Sequence, residues 1–168
     1  MSIKSNYTPE EWNLLGVAPF LAGTTVMRVG SSGIRSIKEA VAVFKGILEG
    51  AESYPDSELV RTLSDKDEAS KAEDRFGPLI KGMNAQEVKD FTLKQLQEVR
   101  HILDTKTPEE DAKAYKQWIM DICLRVAKAA KEGGHFGFGG VQISDPEKEA
   151  LRDIASALGV EPPSEANA

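Results

Sequence analysis

Residues 133–143, Gly-Gly-His-Phe-Gly-Phe-Gly-Gly-Val-Gln-Ile, are where this chain is best suited to bind something. Five of the first eight are glycine, so backbone N–H groups lie open to a ligand, and His135 places a titratable ring among them. Ser144 follows as the expected N-cap of a helix, whose partial positive end favours an anion. Gly134, His135, Gly137, Gly139, Gly140 and Ser144 are therefore the candidate ligand contacts. The same stretch also fits a structural role, which we favour: Phe136 and Phe138 fold back to plug the end of a helix pair, with the glycines making room for the rings.

Other chemistry is hard to assemble. Glu98-Val-Arg-His101 has the Glu-x-x-His spacing of a di-iron ligand pair, but such a centre needs two of these pairs, each with a partner Glu. Gly77-Pro-Leu-Ile-Lys-Gly82 has the spacing of a phosphate loop, yet Met83 stands where Lys and then Ser or Thr would reach the phosphates and magnesium. Gly137-Phe-Gly-Gly140 lacks the third glycine of a dinucleotide fingerprint and follows no strand. The one cysteine, Cys123, excludes an internal disulfide and an all-Cys metal cage, and its place in an apolar stripe reads as a small buried hydrophobe. No catalytic residue, metal ligand or cofactor is assigned.

The elements that would position the glycine stretch form a hairpin from Thr107 to Gly159, around which the rest of the chain is expected to be arranged. Thr107-Pro108-Glu109-Glu110 has a Thr cap, Pro at the first helical position and Glu at the third, which closes a capping box. Tyr115, Trp118, Ile119, Ile122, Cys123, Val126 and Ala127 then recur at helical spacing until Gly133-Gly134. Ser144-Asp145-Pro146-Glu147 starts the second helix, with Leu151, Ile154, Ala155 and Leu158 on its apolar face and Gly159 as its stop. A shorter copy stands at the N-terminus: Thr8-Pro9-Glu10-Glu11, the turn Gly30–Gly33, and Lys38-Glu39-Ala40-Val41 against Lys148-Glu149-Ala150-Leu151. The pattern suggests duplication of a helical hairpin.

Between the hairpins, residues 52–75 carry eight acids and four bases and read as a solvated excursion with one or two short helices. Phe76-Gly77-Pro78 makes the next connection irregular. Asn84 with Glu87 opens another helix, with Val88, Phe91, Leu96, Val99, Ile102 and Leu103 on its apolar face. No stretch alternates with strand period. The expected fold is all-α: a bundle of about five main helices in a single domain over 1–160, with residues 1–7 a loose arm and 161–168 a disordered tail.

At 168 residues the chain is long enough for one self-sufficient core. A net charge of −6 argues against nucleic acid, whose phosphates need a basic face. The most apolar run, Leu14 to Val29, is about a turn short of a membrane span and contains Thr24, Thr25 and Arg28, so a buried helix kinked or split at Pro19 is expected instead, and a membrane partner is not. Glu10 and Glu11 precede that run where a signal peptide would be basic, which points to a cytoplasmic location.

The stretch Gly140 to Gly159 resembles the helical-hairpin segment of the tellurite-resistance TerB-like family, through Ile143, Ser144, Glu147, Ile154, Ala155, Leu158 and Gly159. The resemblance implies a two-hairpin, all-helical plan and a stress-related setting. In that family an acidic turn precedes the serine; Gly137-Phe-Gly-Gly140 replaces it here, so metal binding through that turn does not carry over. The expected function is a non-enzymatic module that binds a protein partner or itself. The alternative is a small-ligand or metal-binding protein that uses residues 133–143.

Overall fold

Thr8 and Glu11 form the expected capping box, with the Glu11 N–H 3.2 Å from Thr8 Oγ1 and the Thr8 N–H 2.8 Å from Glu11 Oε2. From it the first helix, α1, runs Pro9–Gly30. In the computed structural model the described residues are 2–30, 36–129 and 143–167, those of 36–39 by backbone alone. From Val17 to Val26 every residue of α1 is buried, and a helix that is apolar all round belongs in the middle of a core. Helices α2 (Ser36–Leu48), α5 (Lys66–Ile80), α6 (Ala85–Lys106), α7 (Glu109–Ala129) and α8 (Asp145–Leu158) all pack on it. The short α3 (Gly50–Ser53) and α4 (Glu58–Leu63) complete eight α-helices, with no strand among the described residues. The fold is all-α, and its hub is α1, not the C-terminal hairpin.

Pro19 does not split α1, which is one unbroken helix. Proline has no N–H, so the Leu15 carbonyl one turn earlier loses its helical donor inside a core where Leu15 is fully buried. The hydroxyl of Tyr115, on α7, donates to that carbonyl at 2.7 Å. A residue one hundred positions away thus satisfies the carbonyl that Pro19 leaves open. One turn on, the Thr25 hydroxyl lies 2.9 Å from both the Leu21 carbonyl and the hydroxyl of Thr92 on α6.

Three sequence expectations change. Residues 52–75 are not a solvated excursion: Leu59, Val60 and Leu63 of α4 and Ala69 and Ala72 of α5 are buried. Alanine at 72 lets α5 close on α1, where a Cβ at Gly16 would stand 3.4 Å from that of Ala72. Second, α5 runs through Gly77 and Pro78 to Ile80 instead of ending at the expected irregular connection. Pro78 and Asp74, whose carbonyl it leaves without a donor, are both on exposed positions that water reaches. Third, both chain ends are docked. Ile3 and Tyr7 are buried, the Ile3 N–H donates to Glu58, and Tyr7 shares a 2.6 Å hydrogen bond with Thr107. At the other end Ala166 is fully buried and its carbonyl accepts from Arg152 on α8, so the tail, expected to be disordered, is held against α8 at that residue.

The N-terminal arm gives a pH prediction. Glu68 accepts from the Trp12 indole at 2.8 Å and pairs with Lys4 and Lys71. Burial by itself would raise its pKa, but the hydrogen bonds from Trp12, Lys71 and Lys4 outweigh burial and hold it at about 2. A carboxyl depressed on folding contributes stability above its unfolded value, and that contribution disappears as pH falls from about 4.5 through about 2. After solvent screening it amounts to about 1–2 kcal/mol. Glu68→Gln should therefore flatten the loss of stability across this window, read by denaturant unfolding at each pH; parallel curves for the two proteins would reject the assignment.

A candidate binding cleft between three helices

Phe20 on α1 meets two other rings. It stacks on Phe76 of α5 at 5.6 Å between centroids and lies tilted to Phe44 of α2 at 6.4 Å. Phe20 is buried, whereas Phe44 and Phe76 are half-buried, so the cluster is the floor of a depression rather than sealed core. The depression is a cleft of about 380 Å³, bounded by α1, α2 and α5 and the turn after α5. Met27, Val43 and Ile80 extend its apolar lining. That volume lies within the range of small-ligand sites.

Polar groups stand at one side. Arg28 reaches from the end of α1 to donate to the Met83 carbonyl at 2.8 Å, which ties the turn after α5 to α1 and keeps the guanidinium on the cleft. Lys81 and Glu73 line it as exposed side chains. Thr24 lines it too, is 5% exposed, and has no hydrogen-bond partner for its hydroxyl among the described residues. Its neighbour Thr25 is satisfied twice. Gly77, inside α5, has nothing within 4 Å of where a Cβ would sit. A helix-interior glycine costs about 1 kcal/mol relative to alanine, and here no packing contact requires it.

The sequence-predicted contacts fall elsewhere. Gly134, His135, Gly137, Gly139 and Gly140 lie outside the described residues. Ser144 is described and is engaged: its hydroxyl caps α8 through the Glu147 N–H at 3.4 Å and lies 2.9 Å from Glu147 Oε2, which also accepts the Ser144 N–H at 2.8 Å. Glu147 is 1% exposed, so the chain's own carboxylate occupies the anion-favouring end of α8. A Cβ at Gly30 would overlap that carboxylate, which explains glycine at the end of α1.

His101 is exposed on α6, and no three His, Cys, Asp or Glu side chains among the described residues group as metal ligands. Cys123 is fully buried; burial, and then the nearby charge of Asp121, push its thiol pKa up, the opposite of an activated nucleophile. No described helix is long and apolar enough to cross a membrane. The sequence does not point to the cleft, because Phe76 reads as part of an irregular connection and nothing local links it to Phe20 and Phe44. The one local signal was Gly77, which reads as a helix breaker until the helix is seen to continue. Compared with known proteins, the chain matches no protein-family model, no curated protein and no solved structure.

Proposed function

We propose that this protein is a non-enzymatic binding module that holds an apolar group in the α1–α2–α5 cleft. The observation that carries the reading is the aromatic floor left accessible at Phe44 and Phe76 beside the buried ring of Phe20. A preformed depression with an apolar floor is the usual character of a binding site. The TerB-like resemblance, which lies in α8, adds a stress-related setting to this proposal without naming a partner.

The test is a titration with the dye anilinonaphthalenesulfonate under native conditions. One saturable site is expected, abolished by Gly77→Leu, which fills the cleft from a position with open space, and kept by Ser156→Leu in the groove between α6 and α8. No saturable binding, or binding indifferent to Gly77→Leu, would reject the cleft as the binding site.

A further inference from the structure

We propose that the cleft takes a small amphipathic carboxylate, an apolar chain or ring that ends in an acid group. The inference rests on the cleft being the binding site and adds what the polar side of that cleft recognises. Thr24 decides the first part. A hydroxyl taken out of water with no partner is unfavourable, and Thr24 is 5% exposed with none among the described residues, on the wall of the cleft. A ligand oxygen beside it would satisfy the hydroxyl. Charge decides the second part. Among the described residues, Arg28 and Lys81 line the cleft against the one carboxylate of Glu73, which gives those residues a cationic balance in a chain of net charge −6. Arg28 spends one guanidinium nitrogen on the Met83 carbonyl, which fixes its orientation and leaves other N–H groups for an acid.

Gly77 completes the geometry. It lines the cleft, a Cβ there would meet nothing within 4 Å, and the helix accepts the glycine although alanine would stabilise it. The Phe20–Phe76 stack then receives the apolar part of the ligand while the acid lies toward Thr24 and Arg28.

Isothermal titration with decanoate and, separately, decanol is the test. Decanoate is expected to bind at one site per chain and more tightly than decanol. Lys81→Met should weaken decanoate about fivefold and leave decanol within twofold, as loss of one contact to a charged group does, whereas Thr24→Val should weaken both ligands, since either oxygen accepts from the hydroxyl. Thr24→Val should also unfold no earlier than the parent, because it removes an unsatisfied buried hydroxyl. Gly77→Leu should abolish both ligands in a folded protein. Equal affinity for the two ligands, with both lost in Gly77→Leu, would overturn the carboxylate and leave the cleft as a binding site. Failure of both to bind would overturn the carboxylate, and with an unsaturable dye titration the cleft as well. Decanoate binding that survives Gly77→Leu would place the ligand elsewhere and reject the proposal.

Discussion

Trp118→Ala is expected to lower stability by about 3–5 kcal/mol, a large part of the roughly 5–15 kcal/mol that holds a domain together. Trp118 is 2% exposed on α7, meets Tyr115 edge-on at 5.8 Å, and donates its indole N–H to the Gly46 carbonyl at 3.2 Å. Gly46 is in the last turn of α2, where carbonyls have no helical donor. The ring also lies against the α3 backbone: a Cβ at Gly50 would stand 2.7 Å from the indole nitrogen. One side chain therefore fixes the end of α2, the start of α3 and the middle of α7. Guanidinium unfolding should show a lower midpoint with an unchanged slope. A loss under about 1 kcal/mol would mean the site collapses around the void and the ring is not the anchor described.

Tyr115→Phe is the second large effect, about 2 kcal/mol, and its dependence on Pro19 matters more than its size. Removing the hydroxyl leaves the buried Leu15 carbonyl with no donor at all, and an unsatisfied buried acceptor costs about 1–3 kcal/mol. Pro19→Ala returns a backbone N–H to the same carbonyl. In that background Tyr115→Phe should cost only about 0.5–1 kcal/mol, so the double-mutant cycle should show coupling near 1 kcal/mol. Additive effects would mean that the tyrosine hydroxyl and the missing proline N–H are unrelated. The cycle tests how an internal proline is tolerated in the buried middle of a helix. It also separates the hydroxyl from the ring, since phenylalanine keeps the contact with Trp118.

These two sites show what kind of information each level of description holds. The helix starts were legible because a cap is local chemistry: Thr8 with Glu11, Asn84 with Glu87, and Ser144 with Glu147 each place both partners within three residues. The apolar stripes of α6, α7 and α8 were legible for the same reason, since helical periodicity is a short-range property. From caps and stripes alone the all-α class follows. The glycine at 159 as a helix stop also follows, and it takes a left-handed conformation there, with φ of 75°.

What the sequence could not carry is anything whose partner lies far along the chain. The place of Tyr115 opposite Pro19, of Trp118 over Gly50, of Glu68 beneath Trp12, and of Arg152 on the C-terminal tail depends on distances between helices that no local pattern encodes. Local chemistry even misleads at Gly77-Pro78 and along the acidic residues 52–75, because composition reports solvation and not the small alanines that let α5 settle on α1. The cleft is the clearest case. Phe20, Phe44 and Phe76 come from three helices, and they become a site only because the packing of α1, α2 and α5 stops short of closing over them. By itself, then, the sequence determined where helices begin, which faces they bury and that no strand forms, since those depend on neighbours a few residues away. Only the tertiary structure decided that α1 is the hub, which buried polar groups are satisfied, and that Thr24 has no partner among the described residues beside an open cleft, because each depends on residues tens of positions apart brought within a few ångströms.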